Sequence, residues 1–262
     1  MATTVSAPVS VGRFVWLELA TSDAEAAIAF YSKVVGWTAT PMAGPMPYTV
    51  WNSTRGPVGG LMTITPEMKA RGVPPHWIGY VSTPDCDATL KKVTALGGQV
   101  RVPATDIPDV GRFGVFTDPQ GPVLAVLTPQ GDAPPRDPTP QVGDCVWHEL
   151  ATTNGDAAFE FYSKLFGWQQ TSTMEMGPGN LYRMYGTPGE TFGGIYSLEP
   201  NAKRPPSWMY YVEVKDVDRA VKDIPQLGGQ VVNGPMDVPG GRVVMGVDPQ
   251  GAAFALHTTK PA

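Results

Sequence analysis

Polar and apolar residues alternate along VWLELA, which begins at Val15. A strand with that pattern puts Leu17 and Leu19 on one face and Trp16 and Glu18 on the other. The period then changes, with Ala27, Phe30, Tyr31 and Val34 falling at i, i+3, i+4 and i+7, the spacing of one apolar helix face. Ser22 with Glu25 has the spacing of a capping box at the helix start, and Gly36 supplies a left-handed residue at its end. The same reading applies to VWHELA and the residues after it, where Ala158, Phe161, Tyr162 and Leu165 form the stripe, Thr153 with Asp156 the box and Gly167 the stop. A helix laid on the leucine face of its strand leaves Trp16, Glu18, Trp147 and Glu149 on the opposite side.

The offset between Phe30 and Phe161 is 131 positions, and it also links Trp16 to Trp147, Glu18 to Glu149 and Leu96 to Leu227. A repeat of this length is a duplicated domain. Within each copy the order strand, helix, three strands occurs twice, the second time through HWIGYVS and SWMYYVEV. The loop PEMKARGVPP is expected to carry no element, and Pro225 to stop or tighten the helix that begins near Asp216. DPQG, at Asp118 and again at Asp248, suits a turn between the last two strands. Residues 1–12 are expected to form a mobile arm, and the proline-rich stretch 129–141 a semi-rigid linker. The domains are then 13–128 and 142–259.

A net charge of −5 with no run of Lys or Arg argues against nucleic acid as a partner. No apolar stretch approaches the roughly 20 residues of a membrane span, and the start lacks the pattern of a signal peptide. Cys86 and Cys145 occupy non-equivalent positions, which fits a reducing compartment. The expectation is a cytoplasmic protein, with monomer as one possible state because the domain pair is internal.

FYSKVVGW, FYSKLFGW, the two LGGQV segments and the two DPQG turns resemble the vicinal oxygen chelate superfamily of glyoxalases, bleomycin-resistance proteins and extradiol dioxygenases. The resemblance implies an α+β fold, a tandem duplication of glyoxalase-like domains, each of two βαβββ modules forming a curved-sheet cup. Metal-dependent members place His or Gln on the first strand of a module and Glu on its last strand. Here those positions fall on Trp16, Ile78 and Ala125 in one copy and on Trp147, Met209 and Ala255 in the other, none of which ligates a divalent cation through its side chain. No metal and no cofactor are therefore expected.

What remains is a small-molecule site lined by Trp16, Glu18, Tyr48, Trp51, Ile78 and Tyr80 in the first copy. Its counterpart is lined by Trp147, Glu149, Tyr182, Tyr185, Met209 and Tyr211, with Arg242 as a cation. These aromatic residues read equally well as core filling, and Glu18 and Glu149 as structural carboxylates paired with Arg112 or Arg242. Of the histidines, His148 is expected to pack under the helix and His76 to lie on the surface before its strand. His257 is the candidate for acid/base work, with Glu149 as a candidate proton carrier and Glu213 on the same inward side. Three functions stay open: a metal-free ligand-binding protein resembling bleomycin-resistance proteins, a glyoxalase-, dioxygenase- or hydroxylase-like enzyme, and a partner-binding protein with filled cups.

Overall fold

The computed structural model describes residues 11–44, 47–131, 139–177 and 179–260; residues 1–10 of the expected arm and 132–138 of the expected linker lie outside it. The first copy runs β1 (Phe14–Thr21), α1 (Ala24–Val34), β2 (Thr38–Met42), β3 (Tyr48–Ser53), β4 (Gly56–Thr63), α2 (Pro66–Ala70), β5 (His76–Ser82), α3 (Cys86–Ala95), β6 (Gln99–Ile107), β7 (Gly111–Thr117) and β8 (Val123–Pro129). The second runs β9 (Cys145–Thr152), α4 (Gly155–Phe166), β10 (Gln169–Glu175), β11 (Leu181–Thr187), β12 (Glu190–Ser197), β13 (Ser207–Glu213), α5 (Val217–Gln226), β14 (Gln230–Val238), β15 (Gly241–Val247) and β16 (Ala253–Thr259). Each copy builds one eight-stranded mixed sheet, in the orders β2-β3-β4-β1-β5-β8-β7-β6 and β10-β11-β12-β9-β13-β16-β15-β14. This is the α+β tandem of βαβββ modules expected from the sequence.

The helices start where a short acidic or amide side chain meets the free N–H groups of the first turn. Asp23 accepts from Ala26 N at 3.0 Å and Asn154 from Ala157 N at 3.0 Å, so the caps are Asp23 and Asn154 rather than Ser22 and Thr153. Gly167 has φ 76° at the end of α4 and Gly36 has φ 91° just past α1, as expected of left-handed stops. Two further expectations are corrected, the second in part. A short helix, α2, forms in the loop because Thr65 caps it and Pro66 occupies its first position, where a missing N–H costs nothing. Helix α5 runs through Pro225, which sits in its last turn with the chain closed behind it by Leu227 N on Asp223 O and Ile224 O, both at 3.2 Å.

By packing, the chain forms two compact units. One gathers Trp16–Ile78 with Met209 onward. In it α1 packs on α5, and Leu19, Phe30, Tyr31, Trp37 and Trp51 share a core with Val212, Ile224 and Phe254. Tyr31 donates to Asp248 at 3.0 Å and accepts from Trp77 Nε1 at 2.9 Å. The other gathers Glu149–Trp208 with the residues from Gly79 through β8, and α3 packs on α4. There Tyr162 donates to Asp118 at 2.9 Å and accepts from Trp208 Nε1 at 3.2 Å, while Trp168 lies fully buried against Tyr185 with ring centroids 4.4 Å apart. Each unit thus joins the FYSK helix of one copy to the DPQG turn of the other.

Candidate functional site

Leu17 and Leu19 are buried under α1, which leaves Trp16 and Glu18 half-buried on the other face of β1. Tyr48, on β3, crosses that face and donates to Glu18 Oε2 at 2.8 Å, while Trp16 Nε1 donates to the same hydroxyl at 3.0 Å. Gly60, on β4 between them, makes room for the ring: a Cβ there would lie 1.9 Å from Tyr48 Oη. Burial and the neighbouring Glu18 carboxylate push the Tyr48 phenol far above its ordinary range, so it acts as a donor and not as a phenolate.

The second copy repeats the device. Tyr182 donates to Glu149 Oε2 at 2.8 Å across Gly194, whose added Cβ would lie 2.1 Å from the ring. Here the site is extended, because Tyr196 stands where the first copy has Met62 and stacks on Tyr182 with centroids 5.8 Å apart. The exposed Arg204 lies 5.9 Å over the Tyr196 ring and hydrogen-bonds its hydroxyl. Burial, and next the Glu149 charge, raise the Tyr196 phenol as well. Sequence reasoning missed Tyr196, Arg204 and the two glycines. The signal for the glycines was present in GGLM and GGIY, since a glycine inside a strand marks the close approach of another group.

Several expected lining residues lie elsewhere. Trp51 and Tyr185 have no exposed surface and belong to the cores under the helices, against Tyr31 and Trp37 in one case and Trp168 in the other. They stand three positions from Tyr48 and Tyr182, and an odd spacing in a strand puts two side chains on opposite faces. Arg242 bonds Asp218 at 3.1 Å and Asp237 at 3.1 Å, and Arg112 bonds Asp87 at 2.6 Å and Asp106 at 2.8 Å. Neither arginine is the partner of Glu18 or Glu149 in these bonds; the tyrosines fill that role. Arg242→Ala should accordingly leave small-molecule affinity unchanged by calorimetry, with little change in the thermal midpoint because exposed pairs contribute little.

Tyr211 is buried among Val243, Ala255, Trp147, Met209 and Met245. Ile78 is buried, and Tyr80 is buried with its ring 6.2 Å from Phe113. His148 packs as expected, buried and edge-on to Tyr210 with centroids 6.1 Å apart, while its Nε2 lies 3.4 Å from Cys145 Sγ. His76 is the first residue of β5, half-buried, with Nδ1 2.8 Å from Pro74 O. His257 pairs with Glu213, Nδ1 to Oε2 at 2.5 Å.

Comparison with known proteins sets this geometry in a family. The sequence model of the Glyoxalase/Bleomycin resistance protein/Dioxygenase superfamily matches residues 13–126 and again 144–256. The chain belongs to that superfamily. It is 33% identical over 251 residues to "Putative glyoxylase CFP32" of Mycobacterium bovis, covering 94% of each chain. It is 31% identical over 260 residues to the anthracycline biosynthesis protein DauV of Streptomyces sp. (strain C5), covering 94% of this chain and 93% of DauV. Among solved structures it resembles the 2,3-dioxygenase LapB of Pseudomonas sp. KL28, with TM-score 0.67, 15% identity and coverage of 97% and 94% of the two chains. It also resembles the Mn(II)-bound glyoxalase of Novosphingobium aromaticivorans, with TM-score 0.64, 16% identity and coverage of 95% and 83%. At these identities the likeness is one of fold.

The metal that such relatives imply does not fit the residues present. Trp16, Ile78 and Ala125, like Trp147, Met209 and Ala255, carry no donor for a divalent cation, and both alanines are fully buried. Tyr48 and Tyr182 already bond the nearby carboxylates. Among the described residues no group of three or more His, Cys, Asp or Glu side chains stands together. Also among the described residues, no helix is long and apolar enough to cross a membrane.

Proposed function

We propose that the protein is a metal-independent small-molecule-binding member of the superfamily, resembling bleomycin-resistance proteins in holding a ligand rather than a metal. The observation that carries this is the repeated tyrosine–carboxylate pair, laid across a strand glycine on the helix-free face in both copies. A half-buried carboxylate oriented by a tyrosine is the kind of acceptor that a hydroxyl or N–H of a ligand meets. The aromatic surface beside it suits a flat or apolar body. In the second copy the Tyr182–Tyr196 stack and Arg204 enlarge that surface and add a cation, so this copy carries the stronger site. On the same reading the protein works as a cytoplasmic chain with neither Cys86 nor Cys145 in a disulfide, independent of nucleic acid and membrane.

The test is Glu149→Gln, read by calorimetry and thermal shift against a compound first found by screening aromatic and dicarbonyl metabolites. The substitution is expected to weaken binding at least about tenfold, equal to ~1.4 kcal/mol, with the thermal midpoint nearly unchanged. A fall in midpoint with unchanged affinity would show that Glu149 serves only the fold.

A further inference from the structure

One polar pair on the helix-free face lies outside the tyrosine–carboxylate devices. Strand β13 carries Tyr211 and Glu213 on that face, and β16 runs parallel to it with Tyr211 opposite Ala255 and Glu213 opposite His257. The matching register in the first copy sets Ser82 opposite Leu127, so the pair exists in the second copy alone. Glu213 is nearly buried, its side chain 9% exposed, yet both oxygens are engaged: Oε1 accepts from Thr259 N at 2.8 Å and Oε2 meets His257 Nδ1 at 2.5 Å. The backbone of β13 is fixed on both sides of this residue, by Gly143 N on Glu213 O, Glu213 N on Asp144 O and Val214 N on His257 O.

A carboxylate can only accept, so the Nδ1 of His257 carries a proton, and in the neutral imidazole Nε2 then carries the lone pair. Nε2 lies over Gly241 on β15, where a Cβ would come within 2.2 Å of it. Among the described residues no side chain or backbone group hydrogen-bonds Nε2, and the His257 side chain keeps 17% of its surface exposed. Val243 on β15 lies opposite His257, and two positions before the pair Tyr211 lies opposite Ala255; these three form an apolar cluster on which Trp147, Met209 and Met245 pack. The remaining ionisable side chains of β14 and β15, Asp237 and Arg242, bond each other at 3.1 Å, with Lys260 3.4 Å from Asp237. Glu213 is thus the charge that bears directly on the imidazole.

We propose that Glu213 and His257 form a proton-accepting dyad for a small aromatic molecule bearing a weakly acidic hydroxyl, a phenol or an enol. In the step, the O–H bond breaks and its proton passes to His257 Nε2. The electron pair stays on oxygen, and the resulting imidazolium keeps its Nδ1–H on the Glu213 carboxylate. The ligand leaves the step as phenolate or enolate, with no redox partner involved. His257 touches the reacting atom; Glu213 is a positioning residue that fixes the tautomer and balances the new charge. This goes beyond the small-molecule reading above: the dyad lies in the unit that gathers Met209 onward, and the phenol assignment is tested apart from binding at Glu149.

Two measurements on the full chain test it. Nitrogen-15 NMR of the unliganded protein should show His257 protonated at Nδ1 with Nε2 bare, and a mixture of tautomers in Glu213→Gln; an Nε2–H tautomer in the wild type overturns the dyad. Because no ligand is present, this result stands apart from the binding proposal. The second uses 4-nitrophenol, at a pH where it is mostly neutral in solution, followed by difference absorbance. Bound to the wild type it should show the phenolate band, which His257→Gln should abolish even at saturating 4-nitrophenol. Glu213→Gln should move the pH at which the band appears upward by about one unit, a tenfold change in proton affinity. A band that survives His257→Gln, or the absence of phenolate in the wild type, overturns the phenol assignment. Should His257→Gln fail to fold, the same comparison is made with His257→Asn.

Discussion

Asp248→Ala is expected to destabilise the protein by about 3–5 kcal/mol, since it leaves several buried donors unpaired at ~1–3 kcal/mol each. Asp248 is 3% exposed and accepts from Tyr31 Oη at 3.0 Å, Gln250 N at 3.0 Å and Ala252 N at 2.8 Å. Tyr31 in turn accepts from Trp77, so removing the carboxylate disturbs a chain running from the DPQG turn through α1 to β5. Asp118 does the same for Tyr162 and Trp208, and Asp118→Ala should cost a comparable amount. Urea unfolding measures both; a midpoint within error of wild type would show that the turn tolerates the loss.

The pH dependence of the same residues has a definite sign. Burial raises the carboxyl groups of Asp118 and Asp248 above the ordinary Asp range, against the pull of their N–H and tyrosine donors. A raised carboxyl binds its proton more tightly in the folded chain than in the unfolded one, so these two groups add stability as pH falls through their folded pKa. Glu213 runs the other way. Against the upward push of burial, the bonds from His257 and Thr259 hold it below the ordinary Glu range, and its contribution is lost as pH falls through its folded pKa. Asp248→Asn cannot take up a proton, so the wild type should gain on this variant as the pH is lowered from neutral, measured as thermal midpoints.

The duplication, the module order and the division of β1 and β9 into a leucine face and a Trp–Glu face were all legible in the sequence, because period and offset are properties of the chain itself. The exchange of partners was not. Nothing in FYSK names its acceptor, and the hydroxyl of Tyr31 finds an aspartate 217 positions away, in the other copy. Trp51 and Tyr185 show a different gap. Their three-residue separation from Tyr48 and Tyr182 already excluded a shared face, and bulges at Trp51/Asn52 and Tyr185/Gly186 begin only beyond them. Arg112 and Arg242 could be matched between copies by sequence, but not their direction, which α3 and α5 set by presenting Asp87 and Asp218. The pairing of Glu213 with His257 depends on the register of two parallel strands, which alternation leaves open.

Gly194→Ala is expected to disrupt the ligand site through a single added methyl group. An added Cβ would stand 2.1 Å from Cε1 and Cζ of Tyr182 and 2.3 Å from its hydroxyl, far inside contact distance. The backbone of β12 is held on β11 at this point, Gly194 opposite Met184, so the ring must yield. Moving it breaks the 2.8 Å bond to Glu149 and unstacks Tyr196, with an overpacking cost of about 1–3 kcal/mol in stability. If the tyrosine–carboxylate pair orients the ligand, affinity should fall at least about tenfold, or ~1.4 kcal/mol. Gly60→Ala should act likewise in the first copy, where the Cβ would meet Tyr48 Oη at 1.9 Å and displace the acceptor of Trp16. Gly189→Ala is the control, since its Cβ meets nothing within 4 Å and only its φ of 85° is strained, for about 1 kcal/mol without loss of binding. Calorimetry on the three variants with one compound separates the cases. Equal affinity in Gly194→Ala and Gly189→Ala would mean that the glycine serves strand packing and that Tyr182 does not position the ligand.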